Sequence, residues 1–352
     1  MTRLFLMSFV IVLLSTACRQ ESKPVVVEKP TTKKYQKLAG KTMGTTWHIT
    51  YAGDDNQKHK RAIDSLMIRL NDEVSTYIPT AIISKFNQSE KGVQLDTKEH
   101  AHFLKNYKAA LKIYEDTKGQ FDPTVMPLVN YWGFGYTGRE KIKEADKQKV
   151  KALLNFVGME NVNLNDDNFL SKTHPESQID FSALAKGYGV DLISLYFENE
   201  NTSDYYVEIG GEVRAKGKNP TGQLWTVGIS RPEIESAPND FYMIMQVDNS
   251  ALATSGNYRN VYTVDGVHYF HTIDPVTGFP KRDRLLSASV VAKDCMTADA
   301  YATALMVMGL EKAMDFVKGE EEILVCLIYS DEKGGMERFC SEGLGELVSS
   351  VQ

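Results

Sequence analysis

The sequence predicts an α+β protein, with mostly antiparallel sheets and flanking helices. Helical periods of three and four residues dominate the chain up to about residue 199. Short β-branched and aromatic runs separated by turn residues follow, over residues 205–291. Helices and strands thus come in blocks, without the strand–helix alternation of a doubly wound sheet. A length of 352 residues, of which 42% are hydrophobic, is sufficient for a sizeable core.

Apolar residues repeating at helical spacing predict six helices. In residues 57–74, for example, Ile63, Leu66, Met67 and Leu70 share one face. Asp180 is the predicted N-cap of the fourth helix, and Gly158 is the predicted stop of the third. The helices are predicted over residues 57–74, 97–117, 139–156, 180–199, 298–308 and 311–317.

Alternating or continuous apolar runs predict the strands. Asp265-Gly266, between two such runs, predicts a hairpin with a type I′ turn, because both central residues of that turn need positive φ. The strands are predicted over residues 45–51, 205–209, 212–215, 225–229, 242–247, 260–264, 267–273 and 323–329.

The N-terminus carries an export signal. Arg3 precedes an apolar run over residues 4–14, which is too short for a membrane span. The following Leu14-Ser15-Thr16-Ala17-Cys18 resembles a bacterial lipobox, which implies that residues 1–17 are a lipoprotein signal peptide and that Cys18 is lipidated. The alternative is an ordinary signal peptide with an incidental cysteine. Residues 18–40 are expected to form a flexible tether, with the folded part, residues 41–348, beginning near Gly40.

Charge and cysteine content narrow the possible partners. The formal net charge is −6, or −7 after removal of residues 1–17, which argues against a nucleic-acid partner. Four cysteines in a chain of this length do not make a disulfide framework. Cys326 lies in a continuous apolar run and is expected to be a small core residue, although a Cys326–Cys340 disulfide across a hairpin stays open.

Asp299 and Thr303 are the first candidates for chemistry. They are four residues apart on a predicted helix, so a carboxylate and a hydroxyl lie on the same face. Oxygen ligands of this kind suit a hard cation such as Mg²⁺. The alternative interpretation is a solvated carboxylate beside a threonine that bonds back to a backbone carbonyl.

Further candidates lie among the predicted strands. Gly210-Gly211 is either a hairpin turn or a place where backbone approaches a ligand closely. Ser255, His271 and Asp274 have the residue types of a hydrolase triad, but Thr254-Ser255-Gly256 lacks the flanking glycine of a nucleophile elbow. A histidine can instead serve as a base near neutral pH.

Eight segments, taken in order, resemble the bacterial FAD:protein FMN transferases, the ApbE family. The resemblance covers residues 40–345. Its motifs are Thr42-Met43-Gly44-Thr45, Phe121-Asp122-Pro123-Thr124-Val125, Trp132-Gly133-Phe134-Gly135, Asp180-Phe181-Ser182-Ala183-Leu184-Ala185-Lys186-Gly187, Gly210-Gly211-Glu212, Ala253-Thr254-Ser255-Gly256-Asn257, His271-Thr272-Ile273-Asp274-Pro275 with Thr277-Gly278, and Ala298-Asp299-Ala300 with Thr303-Ala304.

The resemblance implies a two-lobed, T-fold-related architecture and Mg²⁺-dependent transfer of FMN from FAD to a threonine or serine of a target protein, with release of AMP. Asp299, Thr303 and the Ala183 carbonyl match metal-ligand positions, whereas Ala302 stands where some relatives have an aspartate. We expect His271 to be the base and Asp274 to orient it. The FAD-contacting positions are matched by Met43, Tyr77, Gln120, Phe121, Asp122, Asp180, Lys186 and Ile273.

Two other activities fit the same resemblance: a lipid-anchored protein that stores FAD without turnover, and an FAD pyrophosphatase that frees FMN and AMP. Tyr77 stands where hydrolysis-prone relatives differ, which favours transfer. The expected partners are FAD, an acceptor protein such as a membrane redox subunit, and the membrane itself through the lipid. The expected location is the cell envelope, on the periplasmic face of the inner membrane.

Overall fold

A computed structural model describes residues 33–352 except Asp55, 138–141, 143–144, 234–235, 238, 258–260, 265–266 and 352. Residues Lys34–Gln352 form one compact unit, and the predicted signal peptide, Cys18 and most of the tether lie outside the described residues. Of the helices in the described part of the chain, none is both long enough and apolar enough to cross a membrane.

The described residues contain eight α-helices, six of them where the apolar periods predict a helix and two short ones that were not predicted. In chain order the helices are α1 (Asn56–Val74), α2 (Ile82–Gln88), α3 (Ala101–Asp116), α4 (Met126–Tyr131), α5 (Lys147–Leu153), α6 (Ala185–Asn199), α7 (Cys295–Met308) and α8 (Leu310–Val317).

Three helices begin later than predicted, because an aspartate side chain forms a cap or a turn ahead of each one. Asp146 accepts hydrogen bonds from the amides of Gln148 and Lys149, so α5 begins at Lys147 and not at residue 139. Asp96 accepts from the amides of residues 98 and 99, ahead of α3. The prediction of Asp180 as the N-cap of α6 is wrong: Asp180 closes a turn with Ser182, and α6 begins at Ala185.

Sixteen strands are present in the described residues. They are β1 (Tyr35–Thr42), β2 (Thr45–Ala52), β3 (Gly92–Gln94), β4 (Val162–Leu164), β5 (Phe169–Lys172), β6 (Tyr205–Ile209), β7 (Glu212–Lys216), β8 (Trp225–Ser230), β9 (Phe241–Val247), β10 (Ser250–Gly256), β11 (Val261–Val264), β12 (Val267–Phe270), β13 (Leu285–Ala292), β14 (Leu324–Ser330), β15 (Met336–Cys340) and β16 (Val348–Val351).

The central sheet has eight strands in the order β1-β2-β6-β7-β10-β13-β14-β15, and every neighbouring pair is antiparallel. The strands β16-β9-β8 form a second antiparallel sheet, β3-β5-β4 form a third, and β11 pairs with β12 as a hairpin. The predicted α+β class and its antiparallel pairing are therefore confirmed.

Alternation along the central strands gives the protein three layers. Ala253, Val290 and Leu327 pack into the core shared with the helices. Their chain neighbours, including Leu252 and Val291, pack instead against the sheet formed by β16, β9 and β8. Because successive strand residues point to opposite faces, the central sheet is covered by helices on one side and by a sheet on the other.

Two features near the ends of the central sheet bear on predictions made from the sequence. Strand β1 begins at Tyr35 and pairs along its whole length with β2, so the predicted tether, which ran to residue 40, overlaps an ordered edge strand. Cys326 and Cys340 face each other across β14 and β15 and form a disulfide. Cys326 is thus both a buried core residue and half of a cross-strand link.

Candidate active site

A cavity of about 430 Å³ opens between α6, α7 and the loops beside them. This volume falls in the range of roughly 300–1,000 Å³ that is typical of small-molecule sites. Segments far apart in the chain meet there. Of the residues predicted from the sequence, its lining includes Tyr77, Gln120, Phe121, Asp122, Asp180, Ala183, Lys186, His271, Ile273, Asp299 and Thr303.

Helix α7 brings Asp299 and Thr303 to the cavity. Nearly every side chain of this helix is buried, because α7 packs on β10 and β13 on one side and on α6 on another. Asp299 Oδ2 accepts a hydrogen bond from the Gly187 amide at 3.1 Å, and Thr303 Oγ1 lies 3.3 Å from Ser255 Oγ. A carboxylate and two hydroxyls therefore line one wall of the cavity.

A lysine lies between two buried carboxylates on this wall. Lys186 Nζ is 3.5 Å from Asp299 Oδ2 and 3.5 Å from Glu212 Oε1. Burial raises the pKa of both carboxyls, and the lysine opposes that shift. Burial alone would lower the pKa of Lys186, but the two carboxylates raise it. Because two carboxylates share one ammonium group, negative charge exceeds positive charge on this wall. The wall therefore favours binding of an additional cation.

Two loops form the adjoining wall. The Asp180 amide donates to the Pro123 carbonyl at 2.7 Å, which joins the segment before α6 to the segment after α3. Asp122 Oδ1 accepts from the amide and the hydroxyl of Thr124. Burial raises the pKa of Asp122 to about 6, although the Thr124 hydrogen bonds oppose the rise. These contacts hold the two aspartates at the cavity by backbone geometry.

The wall that carries His271 is built from aromatic residues and loops. His271 follows β12, and its ring centroid lies 6.4 Å from that of Phe134 in an edge-on arrangement. A smaller apolar cluster, which includes Leu128, Trp132 and Ile273, supports this wall. The Trp132 indole donates to the Gly278 carbonyl at 2.8 Å and fixes the loop that follows His271.

Of the described residues predicted for the site, Met43 and Asp274 lie outside the cavity lining. Met43 has a φ of 48° in the two-residue turn between β1 and β2, and its side chain packs against the main core. Asp274 Oδ1 accepts from the amides of Val276 and Thr277. The carboxylate expected to orient His271 thus shapes the turn after it.

The sequence prediction of the site did not include Glu212, Thr254 and Ser255, which also line the cavity. Glu212 is only 5% exposed, and among the described residues no hydrogen-bond partner reaches its Oε2. The signal that could have found it is the Gly210-Gly211-Glu212 motif itself. Ser255, which the sequence offers as a hydrolase nucleophile and as part of the Ala253–Asn257 motif, contacts Thr303 through its hydroxyl.

The mixed oxygen donors on α7 fit a hard cation. Asp299 offers a carboxylate and Thr303 a hydroxyl, and Ala183, whose carbonyl is the predicted third ligand, lines the same cavity. Within the described residues, three or more His, Cys, Asp or Glu side chains do not gather into a metal cluster. A metal here would therefore rely on hydroxyl, carbonyl and water or phosphate oxygens beside a single carboxylate.

Comparison with protein families supplies the wider context for this geometry. The model of the ApbE family matches residues 43–328, which include every residue predicted for the cavity. The chain belongs to the ApbE family. A relative from Vibrio cholerae, named FAD:protein FMN transferase, is 36% identical over 92% of this chain and 95% of its own length. A relative of the same name from Escherichia coli K12 is 31% identical over 86% of each chain.

Solved ApbE structures have the same fold. The flavin transferase ApbE from Vibrio cholerae superposes with a TM-score of 0.80 at 36% identity, over 90% of this chain and 99% of that one. The Pseudomonas stutzeri flavinyl transferase ApbE gives a TM-score of 0.79 at 28% identity, over 91% and 98%. The ApbE fold thus extends over almost all of the described residues.

Proposed function

We propose that this protein transfers FMN from FAD to a threonine or serine hydroxyl of an acceptor protein, in a Mg²⁺-dependent reaction that releases AMP. The observation that carries the proposal is the convergence, in one cavity, of Asp299, Thr303, His271 and all the residues predicted to contact FAD except Met43. Membership of a family whose relatives are named FAD:protein FMN transferase supports the flavin part of it.

In the proposed reaction the acceptor hydroxyl oxygen attacks the phosphorus of the FMN half of FAD. The bond between that phosphorus and the bridging oxygen breaks, and AMP leaves with the electron pair. His271 takes the hydroxyl proton. The chain thus supplies a base, while the acceptor supplies the nucleophile, which explains why Ser255 is not needed as one.

The remaining groups bind and orient. Asp299, Thr303 and Ala183 would hold Mg²⁺, which when bound would neutralise charge on the phosphate oxygens. Lys186 places a positive charge beside the same oxygens, and Asp122 and Asp180 accept hydrogen bonds from FAD hydroxyls or ring N–H groups. Tyr77, 66% exposed at the cavity, covers the flavin side of the site.

Export and anchoring belong to the same proposal. Residues 1–17 would direct the chain out of the cytoplasm, and lipidated Cys18 would hold it at the periplasmic face of the inner membrane. The residues up to Tyr35, where β1 begins, would then be the tether. An acceptor on an exported domain of a membrane redox subunit would be within reach of such an anchor.

One assay tests the proposal against storage and hydrolysis. The protein is incubated with FAD, Mg²⁺ and a threonine-bearing acceptor fragment, and AMP, free FMN and fluorescent acceptor are followed. AMP with an equal amount of labelled acceptor supports transfer. AMP with free FMN would establish a pyrophosphatase, and bound FAD without AMP would establish storage. An acceptor with the threonine replaced by valine is the matched control, because it keeps the shape and loses the hydroxyl.

A further inference from the structure

Helices α6 and α7 hold each other through hydrogen bonds that run in both directions. From α6, the Gly187 amide donates to Asp299 Oδ2 at 3.1 Å. In return, Asp191 of α6 accepts from the first two amides of α7: Cys295 N–H reaches Oδ1 and Met296 N–H reaches Oδ2, each at 2.9 Å. Two turns of α6 are thereby connected to two turns of α7.

The start of α7 needs these acceptors. The first amides of any helix lack a partner within the helix. The side chain of Asp294, the N-cap, accepts from the Thr297 amide, and Cys295 is fully buried, so its amide is closed to water. Asp191 therefore satisfies donors that would otherwise be orphaned, and its negative charge lies at the positive end of the helix dipole. Arg214 Nη1, 3.1 Å from Asp191 Oδ1, balances that charge.

Close approach makes the arrangement specific. A Cβ atom on Gly187 would lie 2.3 Å from the Cys295 carbonyl oxygen, so the backbones of the two helices are nearly in contact. Asp299 lies one turn beyond Cys295, and Lys186 lies next to Gly187. A small shift of α7 along α6 would therefore move the carboxylate away from Lys186 and from the segment that carries Ala183.

We infer that Asp191 is a positioning residue of the metal site, since it fixes α7 against α6 in the register that brings Asp299 and Thr303 to Ala183. This inference rests on the proposed function for the assignment of the metal ligands. Asp191 contacts neither the cavity nor the ligands' own oxygens in the described residues. Groups that orient metal ligands typically change metal affinity about 10- to 100-fold when they are removed.

Glu198 provides a matched control. It lies on the same helix and also pairs with Arg214, at 3.4 Å, but its other contacts are with Tyr205 and Lys216, in the central sheet. Loss of Glu198 removes an α6 carboxylate and two ion pairs while the start of α7 keeps its acceptors. If Asp191 contributed only to the stability of the fold, the Asp191 and Glu198 variants would have similar metal affinities.

The test is Mn²⁺ binding to the full chain, measured by electron paramagnetic resonance, with near-UV circular dichroism as the check on folding. We expect Asp191→Ala to bind Mn²⁺ about 10- to 100-fold more weakly than the unmodified protein, and Glu198→Ala to stay within about twofold. Asp191→Asn should lose less affinity, because its amide oxygen still accepts one N–H. If Asp191→Ala does not fold, the Mn²⁺ affinity of Asp191→Asn tests the inference in its place.

A folded Asp191 variant with unchanged Mn²⁺ affinity would overturn the inference. An equal loss in Glu198→Ala would also overturn it. The proposed function fails separately: an unmodified protein that binds Mn²⁺ but labels no acceptor refutes transfer and leaves the positioning result standing. Absence of Mn²⁺ binding by the unmodified protein would refute both.

Discussion

The two sides of the cavity are built differently. On the α6–α7 side, the functional carboxylates are almost sealed from solvent, with Asp299 2% and Glu212 5% exposed, and the neighbours of Asp299 on α7, Ala298 and Ala300, belong to the main core. On the His271 side, loops and a hairpin rest on a small satellite cluster. Two exposed side chains lie at or beside this second side. They are those of Tyr77 and Val276, each of which is 66% exposed.

The difference follows from what each side has to do. A metal site needs ligands that keep their geometry, so rigid helices that satisfy their own buried groups suit it. The side that carries the base has to admit a segment of another protein, which requires an accessible surface. Loops over a shallow cluster provide that access at the cost of local stability.

Asp299→Ala should have the largest effect on activity and abolish metal binding. Removal of the single carboxylate ligand should lower the Mg²⁺-dependent transfer rate by about 10³-fold, since a bound metal contributes several kcal/mol to stabilising charge on phosphate oxygens. The rate is measured by AMP release and acceptor labelling at saturating FAD. Asp315→Ala, at an exposed aspartate of α8, is the control. Full activity of Asp299→Ala would refute the metal assignment.

His271→Asn should slow transfer and leave binding intact. Loss of the general base should lower the rate by about 10²-fold, the lower end of the range for such catalysis. The dissociation constant for FAD and the Mn²⁺ affinity should both stay within about twofold, because the α6–α7 side is unchanged. Single-turnover labelling of the acceptor and fluorescence titration with FAD measure the two quantities. The control is His174→Asn, whose ring packs on Phe156 away from the cavity lining. Unchanged transfer by His271→Asn would show that another group takes the proton.

Trp132→Phe should have the smallest effect, confined to the loop side. It removes the indole hydrogen bond to Gly278 and should cost about 1 kcal/mol in the free energy of unfolding, measured by chemical denaturation. The control is Trp225→Phe, which removes a similar hydrogen bond to the Lys216 carbonyl. Trp225 lies on β8, in the sheet formed by β16, β9 and β8. Both variants should lose similar stability, but only Trp132→Phe should slow acceptor labelling. Equal transfer rates would mean that the loop needs no such anchor.

Prediction succeeded where the determinants lie close together in the chain. The period of α1 and the spacing of Asp299 and Thr303 specify a helix and a shared face, because the side-chain directions of a helix are fixed locally. The resemblance placed eleven predicted residues on the segments that form the cavity. Prediction failed at the starts of α5 and α6, where the side chains of Asp146 and Asp180 form a cap and a turn that apolar periodicity does not reveal.

The sequence by itself determined the class of fold, the family and the residue types available for chemistry, because these depend on local periodicity and on motif order. Only the tertiary structure decided which groups meet. The distances between Lys186, Glu212 and Asp299, the orphaned Glu212 oxygen and the capping of α7 by Asp191 depend on how helices and strands pack. Such contacts join residues about 25 to 110 positions apart, and their energies depend on burial that no local pattern encodes.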